Sequence, residues 1–485
     1  MPRGKSEVLV LALDIGSSST RSAVFAGTGK HLRGTNAAQQ YAVQYGADGT
    51  AELDPQKLCR AVRRSVQETV GRRGRNARIG AVSISAFWHG LLGLDAARRP
   101  VTPIYMWSDA RAAVDAQQLR DRFDERAVHA RTGCMLRAAF WPAKLRWLRR
   151  TEPGLFRRVK YWVSPADWIA AQLFGATGCS LSMASATGLF DSLQQRWDAE
   201  LCDACAIRGH TLEDVRTVAA VVGRGRRPRL QMNADAQIFT AIGDGAASNL
   251  GSAVGRGLFA INVGTSAAVR TVCQPGAQVS LGLFRYLLDE HREVVGGAVS
   301  NAGNLRRWCL RELRVDDRTA SHLNRAQRVE IASSNLDVLP FWVAERAPTW
   351  PDNIRGTVTG LKQTTTAVEI DRAAQCSVFY RLAQILELTE NVTESARAVI
   401  VSGGILRTPG WLPLLADAIG RDITVASDAE ASLRGAAIYA LQKLGFTPGP
   451  LPSGRIVEHD RALARLHRAR RTRQEALERN FSQLR

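Results

Sequence analysis

Two segments of this sequence, half a chain apart, share one pattern in which an apolar run leads into a turn of glycine and hydroxyl residues. The run at residues 8–13 leads into Asp-Ile-Gly-Ser-Ser-Ser-Thr-Arg, and the run at residues 258–261 leads into Asn-Val-Gly-Thr-Ser. Glycine lets a backbone approach a ligand closely, and turn N–H groups with Ser and Thr hydroxyls form a concavity that suits phosphate oxygens. One such loop is weak evidence. Two indicate a duplicated scaffold that holds a nucleoside triphosphate from both sides.

The length of the chain and the order of its elements predict an α/β protein of two domains. At 485 residues the chain is long for a single core. Strand and helix patterns alternate, and we place the first domain at residues 1–250, the second at 251–450, and an Arg-rich helix packed on the body at 451–485. The clearest expected elements are strand–turn–strand units at 8–25 and 258–272, strands at 79–85, 91–95 and 398–401, and helices at 52–71, 411–419, 429–444 and 456–483.

The composition is that of an ordinary globular protein. Hydrophobic residues make up 45% of the chain, and no apolar run approaches the length of a membrane helix. No secretory segment precedes the first strand, so we expect a cytoplasmic protein, without membrane contact, whose eight cysteines are reduced thiols. Cys202 and Cys205 have the spacing of a redox or zinc pair, but no second pair or nearby His completes a site. We therefore expect a structural role for both.

The formal net charge of +20 raises the question of nucleic-acid binding. The excess is nearly all arginine, it is spread from end to end, and no aromatic-interleaved reader motif accompanies it. A compositional bias that leaves arginine on a solvated surface explains this pattern more simply. We therefore do not expect nucleic acid as a partner, although a positive surface would steer anionic substrates such as ATP or a sugar acid.

Eight motifs along the chain together resemble the FGGY family of carbohydrate kinases. They occur in family order and cover the chain essentially from end to end. A chance match to all eight motifs is far rarer than a chance match to any one of them. The resemblance implies two ribonuclease-H-like domains of the actin and hexokinase superfamily, with an active-site cleft between them. The motifs are Asp-Ile-Gly-Ser-Ser-Ser-Thr-Arg at 14–21, Trp-His at 88–89, Trp-Ser-Asp-Ala-Arg at 107–111, Gly-Asp-Gly at 243–245, Gly-Thr-Ser at 264–266, Glu-Arg-Ala-Pro-Thr-Trp at 345–350 with Arg-Gly at 355–356, Ser-Gly-Gly at 402–404, and Glu-Ala-Ser-Leu-Arg-Gly-Ala-Ala at 430–437.

The resemblance implies that Asp244, in the Gly-Asp-Gly motif, is the general base that faces the acceptor hydroxyl. A carboxylate suits this task because the hydroxyl loses its proton late in phosphoryl transfer, so position and fixed charge matter more than strong basicity. An alternative interpretation is that Asp244 caps the helix that follows it. Both roles can hold together, and the flanking glycines keep the carboxylate accessible.

Other motif residues are expected to hold ATP and Mg²⁺. By the resemblance, Asp14 binds Mg²⁺, which favours carboxylate and water ligands; a strand-end residue accepting turn N–H groups is the alternative. Ser402 stands where the family usually has a third glycine. Arg346 and Arg355 are expected to be ion partners at the domain interface, outside the active site. The expected phosphate ligands are Gly16, Ser17, Ser18, Ser19 and Arg21 in the first loop and Gly264 and Thr265 in the second, and the expected adenosine residues are Gly403 and Gly404.

Sugar binding is expected at the Trp-His and Trp-Ser-Asp-Ala-Arg motifs. The resemblance implies that Trp88 stacks on the sugar carbon chain and that His89 hydrogen-bonds a sugar hydroxyl. The alternative is that Trp88 belongs to the core and that His89 is a satisfied loop residue. Asp109 and Arg111 are either further sugar ligands or a structural ion pair, and the sequence leaves both interpretations open.

Four segments resemble the gluconokinase branch of the family more than the xylulokinase branch. They lie at residues 183–191, 262–270, 295–303 and 345–350, whereas Trp88 stands where both branches usually carry methionine. The resemblance therefore implies an ATP- and Mg²⁺-dependent kinase that acts on a small-molecule sugar or sugar acid and converts D-gluconate to 6-phosphogluconate. No residue is identified for the substrate carboxylate.

Other functions stay open at this point. A pentulose kinase for xylulose or ribulose is the main alternative, and an ATPase switch protein of the same superfamily is a more distant one. In each case closure of the two domains about a hinge near residues 247–257 would exclude water from the cleft. The sequence also leaves open whether the protein is a homodimer.

Overall fold

Two β-sheets, one in each half of the chain, organise the fold. One core of buried aliphatic and aromatic side chains surrounds the first sheet and includes Phe284, Leu287 and Val294 from the second half. A second core surrounds the second sheet, and a third fills a largely helical region between residues 91 and 212. None of the described helices is both long enough and apolar enough to cross a membrane. A computed structural model describes residues 8–73, 79–207, 211–218, 220–221, 232–252, 257–351, 354–408, 410–426, 430–449 and 454–483.

The first half of the chain combines one large sheet with short two- and three-stranded ladders and helices. Its strands are β1 (Leu9–Ile15), β2 (Ser19–Ala26), β3 (Ala37–Gln40), β4 (Gln44–Tyr45), β5 (Ala51–Leu53), β6 (Ile79–Ala86), β7 (Leu92–Leu94), β8 (Ile104–Tyr105), β9 (Tyr161–Val163), β10 (Ala176–Thr177), β11 (Phe190–Asp191), β12 (Arg196–Trp197), β13 (Ala220–Val221), β14 (Met232–Ile238) and β15 (Ile242–Gly243). Its helices are α1 (Pro55–Arg73), α2 (Ala113–Arg122), α3 (Glu125–Thr132), α4 (Trp141–Thr151), α5 (Pro153–Arg158), α6 (Pro165–Phe174), α7 (Leu181–Ser185), α8 (Ala199–Ala204) and α9 (Asp244–Ser252).

Strand β1 is the centre of the first sheet, whose order is β14-β6-β1-β2-β3 with β15 also paired to β6. It runs antiparallel to β2 and parallel to β6, and all seven of its residues are buried. A strand covered on both faces is expected to be a continuous apolar run, which is what residues 9–13 show. The carboxyl ends of β1, β6 and β15 lie side by side, so the first phosphate loop and the Gly-Asp-Gly motif meet at one edge of the sheet.

The second half of the chain contains a second large sheet and longer helices. Its strands are β16 (Leu258–Val263), β17 (Ala267–Cys273), β18 (Phe284–Asp289), β19 (Arg292–Val299), β20 (Asp337–Leu339), β21 (Thr357–Thr359), β22 (Ala398–Ser402), β23 (Ile423–Val425) and β24 (Ile456–Val457). Its helices are α10 (Gly303–Glu312), α11 (Asp317–Ser321), α12 (Arg325–Ser333), α13 (Ala367–Glu390), α14 (Trp411–Ile419), α15 (Ala431–Lys443) and α16 (Arg461–Gln483), and a 3₁₀ turn spans Gly404–Arg407.

The second sheet repeats the centre of the first. Its order is β18-β19-β17-β16-β22-β23-β24, and β16 pairs antiparallel with β17 and parallel with β22, as β1 does with β2 and β6. In each sheet the hairpin turn after the central strand is the glycine and hydroxyl loop seen in the sequence. The predicted duplication of the scaffold is therefore confirmed.

Helices α9 and α15 cross at two glycines and join the two halves. A Cβ on Gly251 would lie 1.9 Å from the carbonyl oxygen of Ala431, and a Cβ on Gly435 would lie 1.7 Å from that of Ala247. Only glycine permits this approach of two backbones. Several residues of α15, among them Leu433, belong to the same core as β1 and β6. Helix α15 therefore packs on the first sheet, although it comes late in the chain.

Helix α16 packs on the second half of the molecule, as the sequence predicts for the Arg-rich tail. Arg470 is 2% exposed and donates hydrogen bonds to the carbonyl oxygens of Ile331, at 2.7 Å, and Leu336. Glu478 forms a buried ion pair with Arg381 of α13 at 2.9 Å. Part of the arginine excess is thus used inside the fold rather than on its surface.

The predicted elements are largely confirmed, with one correction. Helix α14 has the predicted bounds, and α1 and α15 differ from their predicted bounds by a few residues. The helix predicted over residues 456–483 begins only at Arg461, because Ile456 and Val457 pair with β23 as strand β24. Pairing with a neighbouring strand outweighs local helical pattern there. Of the predicted hinge at 247–257, residues 253–256 lie outside the described residues.

Candidate active site

Asp244 is the first residue of α9, directly after β15. Its Oδ1 accepts a hydrogen bond from the backbone N–H of Gly245 at 2.7 Å. Burial raises the pKa of the Asp244 carboxyl group to about 6, and the positive charge of Arg270 opposes this rise. The residue thus stands at a helix start, but its oxygen accepts from the next N–H rather than from the second or third N–H that a capping side chain takes. The raised pKa brings its carboxyl group close to neutrality, as suits a general base.

Trp88 supports the backbone on both sides of Asp244. A Cβ on Gly243 would lie 1.7 Å from Cε2 of Trp88, and a Cβ on Gly245 would lie 2.6 Å from Cζ3 of the same ring. The indole is 6% exposed, and its Nε1–H donates to the carbonyl oxygen of Ser182 at 3.1 Å. The backbone around Asp244 can therefore contact the indole only because residues 243 and 245 are both glycine. The core interpretation of Trp88 matches this burial, and only a small part of the ring faces the cleft.

His89 is held in a fixed orientation beside Trp88. Its backbone is left-handed, with φ of 65°, and its Nδ1–H donates to the carbonyl oxygen of Ala186 at 2.6 Å. Burial lowers the pKa of His89 to about 3, and the charges of Lys144 and Arg346 lower it further. The imidazole is therefore neutral at physiological pH. Because Nδ1 carries the proton, Nε2 is an acceptor for a hydroxyl hydrogen.

Lys144, which the sequence analysis missed, holds the His89 loop through hydrogen bonds to backbone carbonyl oxygens. The side chain is 1% exposed, and its Nζ donates to the carbonyl oxygens of His89 at 2.9 Å and Met106 at 2.8 Å. Burial lowers the pKa of this ammonium group to about 7, against the effect of the Asp109 carboxylate. One buried cation thus connects the Trp-His motif with the segment that precedes Trp107.

Asp109 and Arg111 form an ion pair. The Nε and Nη2 groups of Arg111 donate to Oδ1 and Oδ2 of Asp109 at 3.1 and 2.6 Å, and Nη2 also donates to Glu52 at 2.6 Å. The guanidinium lies 4.4 Å from the centroid of the Trp147 ring. The structure therefore contains the ion pair that was one of the two interpretations of these residues, and it engages both carboxylate oxygens of Asp109.

The first phosphate loop is a tight turn with one exposed side. The backbone N–H of Gly16 donates to the carbonyl oxygen of Ser19 at 2.9 Å, which closes the turn, and the Tyr41 hydroxyl donates to the carbonyl oxygen of Gly16 at 2.5 Å. Ser17 Oγ accepts from Nε1 of Trp107 at 3.0 Å, whereas Ser18 is exposed. The loop is thus fixed by its contacts with Tyr41 and Trp107, and it is exposed to solvent at Ser18.

Asp14 and Arg21 flank this loop in a charged network. Asp14 is 3% exposed; its Oδ2 accepts from Nη2 of Arg21 at 2.6 Å and its Oδ1 accepts from Ser85 Oγ at 2.9 Å. Nη1 of Arg21 donates to Glu430, the residue just before α15, at 2.8 Å. Arg21 therefore links the first phosphate loop to the start of the helix that returns from the second half of the chain.

The second phosphate loop and the Gly403–Gly404 turn lie against each other. Gly403 has φ of 94°, and a Cβ there would lie 2.7 Å from the carbonyl oxygen of Val263. Gly404 packs on the same segment, and a Cβ on it would lie 3.8 Å from Cα of Gly264. Thr265 is exposed at the tip of the second loop. The structure thus brings together the residues predicted to bind phosphate and adenosine in the second domain.

The oxygen donors near the two phosphate loops suit a Mg²⁺ ion that is also bound by nucleotide phosphates better than a metal bound by protein side chains alone. Among the described residues, no three His, Cys, Asp or Glu side chains cluster as metal ligands. Asp14 offers one carboxylate beside the first loop, and Mg²⁺ normally takes one or two carboxylates together with water and phosphate oxygens. A Cβ on Gly264 would meet nothing closer than the Ser266 carbonyl oxygen at 3.7 Å, so this loop leaves room for a ligand.

Arg270, on β17, reaches the backbone next to Asp244 from the second half of the chain. A Cβ on Gly245 would lie 2.7 Å from Nε of Arg270, and this Nε is buried without a hydrogen-bond partner. Burial lowers the pKa of the guanidinium below its usual value, and Asp244 opposes that shift. The sequence analysis quoted the segment that contains Arg270 but did not predict it as a site residue.

Arg346 also faces the cleft, which corrects the expectation that it lies outside the active site. Its charge lowers the pKa of Asp244 and of His89, and its guanidinium lies 5.0 Å from the centroid of the Trp107 ring. The sequence analysis expected an ion partner at the domain interface instead. Arg355, by contrast, is exposed.

Cys202 and Cys205 do not form a reactive site. Both are buried, and burial raises the pKa of each thiol. A buried thiol with a raised pKa is a poor nucleophile and a poor metal ligand. The expected structural role is consistent with this environment.

Comparisons with known proteins agree with this arrangement. A gluconokinase from Bacillus subtilis is 28% identical over 452 residues, which cover 90% of this chain and 88% of that protein. A glycerol kinase from Polaromonas sp. is 29% identical, with coverage of 89% and 90%. The solved structure of a gluconate kinase from Lactobacillus acidophilus superposes with a TM-score of 0.87 at 22% identity and covers 98% of both chains. Xylulose kinases also match over most of their length.

Two domain families match consecutive parts of the chain. The N-terminal domain of the FGGY family of carbohydrate kinases matches residues 9–251, and its C-terminal domain matches residues 259–443. These two ranges contain most strands of both sheets, both phosphate loops and the Gly-Asp-Gly motif. Together with the fold, they show a phosphotransferase that acts on a sugar hydroxyl group. The chain belongs to the FGGY family of carbohydrate kinases.

Proposed function

We propose that this protein is an ATP- and Mg²⁺-dependent kinase that phosphorylates the terminal hydroxyl of D-gluconate. The observation that carries the proposal is the surroundings of Asp244. A carboxylate with a pKa of about 6 lies in a cleft whose second-domain wall presents Arg270 and Arg346. Two arginines for one carboxylate favour an anionic acceptor over a neutral sugar. The similarity to gluconokinases points to the same substrate class.

Asp244 orients the acceptor hydroxyl and takes its proton late in the reaction. The N–H of Gly245 holds one carboxylate oxygen, which leaves the other free to face the substrate. Nε2 of His89 accepts a hydrogen bond from a second hydroxyl, because Nδ1 is committed to Ala186. Asp109 and Arg111 hold the adjacent segment through their ion pair, and Trp88 supports the Asp244 loop. These residues position the acceptor, and positioning is the main protein contribution in phosphoryl transfer.

The nucleotide would lie between the two glycine-rich loops. Bound ATP supplies the transferable phosphoryl group, and its Mg²⁺ neutralises the developing charge. The residues that would hold the phosphates, the adenosine and the ion are Gly16, Ser17, Ser18, Ser19, Arg21, Gly264, Thr265, Gly403, Gly404 and Asp14. Arg21 and Asp14 are paired with each other in the structure, and this ion pair holds both side chains beside the first loop.

The pH profile of kcat/KM is expected to fall on the acid side with an apparent pKa near 6. Asp244 accepts a proton only when ionised, and its pKa is raised to about 6. Arg270→Met should move this acid limb to higher pH, because the charge of Arg270 lowers the Asp244 pKa. Arg270→Lys keeps the charge and should leave the acid side of the pH profile unchanged. The measurement is kcat/KM for gluconate from about pH 5 to about pH 8. A limb that moves to lower pH in Arg270→Met contradicts the assignment.

A coupled ADP-release assay tests the proposed function. Mg-ATP is supplied with gluconate, xylulose, ribulose, glycerol, erythritol or no sugar, and turnover is expected with gluconate. Xylulose kinases are also similar over most of this chain, so a pentulose is the second candidate. Turnover on a pentulose but not on gluconate would replace the substrate and keep the kinase. Turnover without any sugar would reject the kinase function in favour of an ATPase.

A further inference from the structure

We propose that Arg346 binds the carboxylate of a sugar-acid substrate, at the opposite end of that substrate from the hydroxyl that faces Asp244. The residue lies in the loop between β20 and β21, on the second-domain wall of the cleft. The inference rests on the proposed function. It supplies the anion-binding residue that phosphorylation of gluconate requires and that no motif of the sequence identifies.

The hydrogen bonds of Arg346 leave donors free. Its Nε donates to Ser300 Oγ at 3.1 Å, and its Nη2 donates to the carbonyl oxygen of Val299 at 3.1 Å. A guanidinium has five N–H donors in a fixed fork, so these two bonds fix its orientation and leave the others for a ligand. A carboxylate matches this fork with two parallel hydrogen bonds.

The charge of Arg346 has no ion-pair partner among the described residues. The carboxylate with the largest electrostatic effect on it is that of Glu345. This carboxylate already accepts hydrogen bonds from the backbone N–H groups of Ser300 at 2.5 Å and Arg346 at 2.8 Å, and from the Asn301 side chain at 3.0 Å. A cation taken out of water is costly unless an anion pairs with it. An anionic substrate would provide that partner, and a neutral sugar would not.

The neighbours of Arg346 place it in the sugar pocket at some distance from the base. Its guanidinium lies 5.0 Å from the centroid of the Trp107 ring, and its charge acts on His89. A Cβ on Gly245, next to Asp244, would lie 2.7 Å from Nε of Arg270, whereas Arg346 donates to Ser300 and Val299. Arg270 is therefore the arginine beside the base, and Arg346 lies on the Trp107 side of the pocket. An open-chain acid whose terminal hydroxyl reaches Asp244 carries its carboxylate toward this second cation.

A phosphate group of ATP is the other anion that a cleft arginine could bind, and the two sources have different signatures. If Arg346 binds the substrate carboxylate, its removal weakens only substrates that carry a carboxylate. If it binds a phosphate of ATP, its removal affects every acceptor equally and raises the KM for Mg-ATP. Gluconamide, the uncharged analogue of gluconate, separates these cases because it differs from gluconate only at the carboxylate.

The test measures kcat and KM for gluconate, gluconamide and Mg-ATP in the wild type and in three variants. Arg346→Met is expected to lower kcat/KM for gluconate about 30-fold, mainly through KM, because a hydrogen-bonded charge pair is lost. With gluconamide the same variant should stay within about 3-fold of the wild type. Arg346→Lys should recover part of the loss, since it keeps the charge but not the fork. Arg355→Met removes an exposed arginine nearby in sequence and should change nothing.

The outcomes separate this inference from the proposed function. Equal losses on gluconate and gluconamide, together with a higher KM for Mg-ATP, would overturn the carboxylate assignment and leave the gluconate kinase intact. The wild type alone provides a check that needs no variant: equal kcat/KM for gluconate and gluconamide would overturn the inference. A wild type that phosphorylates only neutral sugars would reject the proposed function, and the carboxylate role of Arg346 with it.

Discussion

Replacing Asp244 by asparagine is expected to lower kcat by about 10³-fold or more, which lies within the range of general base catalysis. The asparagine cannot accept the hydroxyl proton, although its Oδ1 can keep the hydrogen bond from the N–H of Gly245. Burial disfavours the ionised carboxylate, so the neutral amide should not lower the thermal stability. The measurement combines steady-state kinetics with a thermal unfolding curve and an ATP-binding isotherm.

Asp124→Asn is the matched control for this variant. Asp124 caps α3 by accepting a hydrogen bond from the backbone N–H of Arg126 at 2.9 Å, and asparagine caps a helix equally well. This control should retain full activity. If Asp244→Asn keeps turnover within tenfold of the wild type, the general-base assignment is wrong and only a structural role at the start of α9 remains.

Gly243→Ala is expected to lower kcat about 100-fold while ATP binding persists, because small displacements of a catalytic group have effects of this size. The new Cβ would lie 1.7 Å from Cε2 of the buried Trp88 ring, so the Asp244 loop or the indole must move. The N–H of Gly243 also donates to Ser182 Oγ at 3.1 Å, which ties the loop to α7. Steady-state kinetics with gluconate measures the loss.

A second substitution checks that the clash with Trp88 is the cause. Trp88→Phe shortens the ring, so the Gly243→Ala, Trp88→Phe double variant should lose less activity than the two single losses combined. Gly71→Ala, in α1, is the control, since a Cβ there meets nothing within 4 Å. Additive losses in the double variant would show that Gly243 matters for a reason other than its contact with the indole.

The fold was predictable because its signals are local and repeated. An unbroken apolar run before a glycine turn predicts a buried central strand, and β1 and β16 both have that form. The close crossing of α9 and α15 was not predictable. Gly435 belongs to a family motif, but nothing in the sequence pairs it with Gly251, and only the packed structure shows that a Cβ at either would strike the backbone of the partner helix.

The parts of the site that come from contiguous motifs were predictable, and those that depend on packing between distant segments were not. Arg346 was expected to be an ion partner at the domain interface, but it has no ion-pair partner among the described residues, and the neighbouring Glu345 carboxylate accepts hydrogen bonds from backbone N–H groups. Lys144 did leave a signal. It lies on the buried face of the amphipathic helix α4 together with Trp141, Leu145 and Leu148, where a lysine requires a specific partner.

The most direct test of the gluconate kinase proposal is a competition between two substrates in one reaction. Gluconate and xylulose at equal concentration are incubated with Mg-ATP, and the two phosphorylated products are quantified by mass spectrometry. The ratio of initial rates equals the ratio of the two kcat/KM values. We expect 6-phosphogluconate to exceed xylulose 5-phosphate by about 100-fold or more, because only the acid pairs with the half-buried Arg346. An excess of xylulose 5-phosphate would contradict the proposed substrate and identify a pentulose kinase.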